Sequence, residues 1–488
     1  MTQGRILTVS TLFLLLLLLV PLPFLPEYGG ANSSTRVMLT QALVEERTTR
    51  IDRHAALTVD KAFHDGHFYS DKAPGMAFLS LPAYALGRAA LAGQGRELDL
   101  MAPLAQGRGL DAAEMVVYRA MALVSGGLLM ALAGVAALWM GHRLSGGLRP
   151  ALLATATVFL ATPYLGWSVQ LFGHAAAGAC LMLAFALACG LRSSGPRMTA
   201  RAMAAGAALG LAVGIEYTAA PPAALIAAYA IWQLRGLDRG RALSALGLAV
   251  LAALVMLAPV LIYHQLSFGS PFAVGYSGVV GFEGMQQGFL GLTWPDPAAL
   301  WGITFGFRRG VFWLAPVLIL VPVGLWLAWR AKAWRLELAV SMLVIIYYFW
   351  LNSSYYYWEG GSSLGPRHVM PAVLFAILPL QWLWTHAEGH LRKALTGLTL
   401  FGLIAALAAA MTTMTPNLGY RFPLVNPVLS GLFSEDQAFR HWHALGVQGD
   451  TLFIGWALGS LGLGGLLWYL AGVWDEAGRA APAGVAGQ

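Results

Sequence analysis

Apolar runs of about 17–25 residues recur from one end of the chain to the other, and each is long enough to cross a hydrocarbon core about 30 Å thick. Only 11% of the 488 residues are charged, against roughly a quarter in a soluble domain. The chain therefore reads as an all-α polytopic membrane protein. About twelve transmembrane helices are expected, near residues 6–25, 113–141, 151–167, 173–191, 202–215, 218–234, 242–263, 310–329, 336–352, 369–385, 394–414 and 451–473. The first has the flanks of a signal peptide, with Arg5 before it and Pro21, Pro23 and Pro26 at its end. Its length and the many later spans favour a retained helix.

The net charge of +7 suggests nucleic acid until its distribution is read. Short connections carry Arg143/Arg149, Arg192/Arg197/Arg201, Arg235/Arg239/Arg241, Arg330/Lys332/Arg335 and Arg392/Lys393, on the same side as Arg5 and Arg479. Only Asp238, Glu337, Glu388, Asp475 and Glu476 share that side as acids. The positive-inside rule makes it cytoplasmic, so the excess charge reports topology and implies no nucleic-acid partner. The expected location is a bacterial inner membrane, with both termini cytoplasmic and 475–488 as a short tail. Arg308-Arg309 breaks the rule on the outer side, where it suits lipid phosphates or plain solvation. Gly206, Gly210 and Gly214 make a stripe that lets another helix approach closely. Cys180 and Cys189 sit nine residues apart in one run, or about 13 Å along a helix, which is too far for a disulfide.

Residues 1–474 thus form one transmembrane domain with three long extracytoplasmic loops, at 26–112, 264–309 and 415–450. Loops beyond roughly 12–15 residues usually carry function or are disordered. Within the first, 73–93 is apolar with Arg88 inside it and is expected to lie as a helix at the membrane surface. A crossing there would invert every later loop and put the arginine clusters outside. Just before it, Asp52, Asp60, Asp65, Asp71, Lys61 and Lys72 crowd into a short stretch that ends in Tyr69-Ser70-Asp71-Lys72-Ala73-Pro74.

That last element resembles the Tyr-Phe-Glu-Lys-Pro type of motif in the GT-C superfamily of membrane glycosyltransferases, in the bacterial branch of aminoarabinose transferases and protein O-mannosyltransferases (glycosyltransferase family 39-like). Leu364-Gly365-Pro366-Arg367-His368 is similar to that branch's later Gly-Pro-Arg-aromatic element, and the likeness covers roughly the first 380 residues. It implies a GT-C-like fold and an inverting transfer of a sugar from a polyprenyl-phosphate donor to an extracytoplasmic lipid, glycan or protein acceptor. A divalent metal is possible in such a site. Two departures stand out. The acidic pair usual after the first span is replaced by Asn32-Ser33-Ser34-Thr35-Arg36, and the acid between spans three and four by Phe172-Gly173-His174.

Such a transfer needs a base for the acceptor hydroxyl and cations for the leaving phosphate. Asp60 or Asp71 is the expected base, with His174 as a further catalytic candidate and Lys72 and Arg367 as phosphate partners. Asp52, Tyr69, Glu216, Tyr217, Trp358, Glu359 and His368 are candidates for substrate contact. Tyr355, Tyr356, Tyr357 and Trp358 suit an interfacial aromatic belt as well as a sugar face. His441 and His443, spaced i, i+2, lack the further ligands a zinc site requires. Two other readings remain open: a transporter or flippase of a polar lipid, and a non-catalytic member that binds a lipid-linked sugar.

Overall fold

A segment in hydrocarbon has no water to satisfy its backbone, so every N–H and C=O must pair within it, and a helix is the local solution. The computed structural model describes residues 3–24, 26–192, 195–433 and 451–480, and it is a helical bundle. Among the described residues, seven helices are long and apolar enough to cross a membrane. Six are Ala112–Ser145, Met198–Ile215, Arg239–Phe268, Arg335–Ser354, Gly389–Thr412 and Leu452–Glu476. The seventh is Gly75–Ala92, the segment expected to lie on the surface. Toward its C-terminal end Tyr84 donates a hydrogen bond to Glu45, and Arg88 lies 3.9 Å from the same carboxylate. A bent pair, Arg367–Phe375 and Ile377–His386, makes an eighth span if counted as one. Gln3–Leu19, Leu148–Leu160, Gly173–Ala188 and Pro316–Arg330 are shorter apolar helices.

Each of the twelve expected runs contains helix, and the departures have local causes. The run at 369–385 bends by 44° at its break. Pro379 lacks an N–H and its ring collides with the carbonyl four residues back, that of Phe375, where the first half ends. The run at 310–329 is split into Val311–Leu314, a 3-10 turn Pro316–Leu320 and Val321–Arg330, because Pro316 and Pro322 each restart a helix. The last helix, Thr451–Ala480, continues past its expected end at 473, while 481–488 lie outside the described residues. So do 434–450, which include His441 and His443.

Packing follows side-chain size. Gly173–Ala188 is buried along most of its length and touches Leu128–Ser145, Met198–Ile215, Ala220–Gln233 and Met370–Phe375. The glycine stripe finds its partner in Arg239–Phe268: a Cβ on Gly206 would lie 2.6 Å from the Ala249 carbonyl carbon, and one on Gly210 2.9 Å from the Ala253 Cα. The other face of that partner exposes Leu243, Val250, Leu254 and Ile262, as a lipid-facing helix does.

Loop one is ordered by three pieces. Ala31–Gln41 is a helix whose polar residues Asn32, Ser33, Thr35 and Arg36 are all buried. A two-stranded hairpin pairs Ala62–His64 with His67–Tyr69. Its turn is Asp65-Gly66, both at positive φ (46° and 81°), the conformation that makes Asp-Gly a preferred hairpin turn. Gly75 then starts the next helix hard against another backbone. A Cβ there would lie 2.5 Å from the Gly214 carbonyl oxygen and 2.8 Å from the Ile215 nitrogen. Neither atom can swing aside, so Gly75→Ala is expected to cost about 1–3 kcal/mol by overpacking. A lowered thermal midpoint in detergent, with faster proteolysis of loop one, is the measurement.

Candidate active site

Loop one, the 216–217 junction and the segment 352–368 meet at a cavity of about 600 Å³. Asp60, Asp71 and Lys72 reach it from the hairpin and the turn behind it. His174, Glu216 and Tyr217 enter from helix ends, and Arg367 and His368 from the short turn that opens the bent helix pair. Eight sequence candidates are therefore brought to one place.

Their charges interlock. The Lys72 Nζ lies 2.6 Å from Asp71 Oδ2 and 3.3 Å from Asp60 Oδ2. Burial pushes the Asp71 carboxyl above its ordinary value, with Lys72 pulling the other way. Burial also opposes the Lys72 charge, but Asp71 and Asp60 outweigh it and raise the ammonium's pKa. An ammonium has three N–H donors. Asp71 accepts a hydrogen bond from it and Asp60 faces it as an ion pair, which leaves a donor for a ligand. Across the cavity Arg36 bridges Glu216 at 3.0 Å and donates to Asn32. Burial raises the Glu216 carboxyl even against Arg36. The His174 Nδ1 lies 3.9 Å from Glu216, and its ring meets that of His368 edge to face at 4.7 Å. Arg367 packs over Phe172, 5.0 Å from the ring centroid, and its Nε is buried without a hydrogen-bond partner.

The remaining candidates sit elsewhere. Asp52 accepts from the Phe68 amide at 2.7 Å and pairs with His67 at 2.7 Å, so it braces the hairpin and does not line the cavity. Tyr69 is buried with its ring 5.4 Å from that of Phe268. Trp358 borders a second, smaller pocket, and Glu359 pairs with Arg308 beside it. Lys61 is also withdrawn, donating to the Ala55 carbonyl at 2.6 Å.

Sequence reasoning expected the loop at 264–309 to close over the substrates but named no residue of this wall. The stretch 269–292 has little regular structure, yet it is stitched on two sides. Val280 donates to the Lys61 carbonyl at 3.1 Å, and Tyr356 donates to the Gly291 carbonyl at 2.9 Å. Gly275 lies against the Asp71 backbone, where a Cβ would meet Asp71 Cα at 2.8 Å. Tyr276, Phe282 and Leu290 thereby face the site. Tyr347 and Trp350 of Arg335–Ser354 continue the lining. Trp350 is also exposed on the outside of the bundle, so the cavity has an apolar flank toward the lipid side. Arg36 was missed as well. The signal was present, since a buried acid such as Glu216 requires a cationic partner.

Among the described residues, no three His, Cys, Asp or Glu side chains are placed to hold a metal ion. Asp60 and Asp71 both turn toward Lys72 instead.

No protein-family model matches the chain, and no curated protein matches it. Among solved structures it is similar to ArnT from Cupriavidus metallidurans in the apo state, at 14% identity and a TM-score of 0.51 over 96% of this chain and 74% of that one. The same protein bound to undecaprenyl phosphate gives 16% identity and a TM-score of 0.49 over 96% and 78%. The apo oligosaccharyltransferase of Archaeoglobus fulgidus gives 11% and 0.43 over 91% and 60%. The first likeness is one of fold: the chain is an all-α polytopic membrane protein with the GT-C-like architecture.

Proposed function

We propose that the chain is an inverting glycosyltransferase that moves a sugar from a polyprenyl-phosphate donor to an acceptor at the extracytoplasmic face. The observation that carries this reading is the convergence of Lys72 and Arg367 with Asp60, Asp71 and Glu216 on one cavity that also has an apolar flank, with Arg36 paired to Glu216 behind its lining. A phosphate head finds cations there, and a lipid tail finds Tyr347 and Trp350 beside them.

In this mechanism the acceptor oxygen attacks the anomeric carbon as the bond to the phosphate oxygen breaks. The acceptor proton passes to Asp60, and the electron pair leaves on the phosphate. Net charge in the cavity does not change. One negative charge moves from Asp60 to the leaving phosphate, beside the free donor of Lys72 and the unpaired Nε of Arg367. Preorganised cations at that position are worth about 100- to 1,000-fold each in rate. Asp60 suits the base role better than Asp71, because Asp71 is the closer partner of Lys72 and is more deeply buried. In this reading Tyr276 and His368, which line the cavity, bound the sugar.

The test is incubation of membranes containing the full chain with a panel of labelled polyprenyl-phosphate sugars. At least one donor is expected to lose its label to a membrane or surface acceptor. Donor that binds but is never consumed, across the panel, would leave only a lipid-linked-sugar-binding protein.

A further inference from the structure

The outer basic pair Arg308-Arg309 lies outside the proposed chemistry, and the structure gives it a pocket of its own. The turn 305–310, the Trp358 indole and the last loop at 418–421 enclose about 340 Å³. Three arginines, Arg308, Arg309 and Arg421, line it.

Its charge is unbalanced. Arg309 is buried, and its N–H groups donate to the carbonyls of Glu359, Gly361 and Ser363. Burial lowers its pKa to about 10, which leaves it cationic at neutral pH. Among the described residues no carboxylate contacts Arg309 or Arg421, and Glu359 is the one acid on Arg308, at 3.3 Å. Among the described residues three positive charges thus face one negative charge. The Arg308 Nε is also buried with no hydrogen-bond partner. Positive groups gathered with little counter-charge repel one another, and an oxyanion in the pocket offsets that repulsion with charge-assisted hydrogen bonds.

The surroundings identify which kind of oxyanion. Phe307 and Trp313 are exposed and packed together at 5.3 Å, with Phe422 5.2 Å from Phe307. Trp301 and Phe305, also exposed, pair at 5.0 Å. Aromatic rings gathered at the ends of apolar helices sit at the headgroup level of a bilayer. Phosphate is the anion present at that level.

We infer that this pocket binds the phosphate of an anionic membrane lipid, with Arg308 and Arg421 gripping the headgroup and the neighbouring aromatic rings contacting its upper chains. The site is separate from the cavity, so it stands or falls independently of the transferase reading.

The full chain in nanodiscs of mixed phosphatidylglycerol and phosphatidylcholine, released and weighed by native mass spectrometry, tests this. The wild type is expected to retain phosphatidylglycerol selectively. Arg308→Gln with Arg421→Gln is expected to weaken that retention at least about tenfold. Arg421→Gln alone, at an exposed position that does not endanger folding, is expected to weaken it measurably. Selectivity unchanged in both variants overturns the proposal. So does a wild type that holds the two lipids equally while millimolar inorganic phosphate protects it from heating, which would make this a site for free oxyanions.

Discussion

Asp60→Asn is expected to lower sugar transfer by about 100- to 10,000-fold, the range for removing a positioned general base, while donor binding and the thermal midpoint stay close to wild type. Asparagine keeps the shape of the side chain and removes only its capacity to take the acceptor proton. Lys72 keeps its nearer partner Asp71 at 2.6 Å, so the cation that meets the phosphate stays in place. The loss should therefore fall on kcat and leave KM for the donor nearly unchanged, the signature of an interaction made only in the transition state. Asp71→Asn is expected to behave differently. It removes that nearer partner, lets the ammonium shift, and raises the donor KM as well as lowering kcat. Asp65→Asn, at the exposed tip of the hairpin turn, is the control and should transfer at the wild-type rate. Full activity of Asp60→Asn, or an equal loss from Asp65→Asn, would remove Asp60 from the chemistry.

The sequence carried the long-range assembly of this site further than its local shapes. The adjacent Asp71 and Lys72 are far in the chain from His174 and from Arg367, yet each stands where an apolar run meets a polar segment. A bundle collects such junctions at its ends, so hydropathy, charge and the resemblance together named the candidates, while their convergence on one cavity is a finding of the structure. The glycine stripe at 206, 210 and 214 was legible for a similar reason, because absent side chains leave room that only a neighbouring backbone fills. The helix Ala31–Gln41 was not legible. Its polar residues show no apolar face, and they are buried because they touch Glu216, Asp99 and one another, partners distant in sequence. The stretch 269–292 was opaque because its order comes from bonds to the hairpin and to 354–356. The crowding of charge near Asp65 turned out to serve two ends. Asp52, Asp65 and His67 shape the hairpin, and only Asp60, Asp71 and Lys72 reach the cavity.

Arg36→Leu tests how the far wall of the cavity is held. Arg36 and Glu216 are both almost wholly buried, and their 3.0 Å pair links the loop-one helix to the end of Met198–Ile215. Breaking a buried pair from one side leaves an uncompensated charge and costs about 3–5 kcal/mol, whereas removing both charges is often near neutral. The single variant is therefore expected to unfold at a clearly lower temperature in detergent, and Arg36→Leu with Glu216→Gln to recover most of the loss. The pH dependence gives an independent check. Burial already raises the Glu216 carboxyl with Arg36 present, and without Arg36 it rises further above its unfolded value of about 4.3. A raised carboxyl contributes stability fully below the unfolded pKa and loses it as pH climbs through the folded pKa. The deficit of Arg36→Leu should thus be small near pH 5 and grow as pH rises, while the double variant, with nothing left to titrate at 216, shows no such growth. A deficit independent of pH, left unrepaired by Glu216→Gln, would mean that Arg36 stabilises the wall through packing of its side chain and not through its charge.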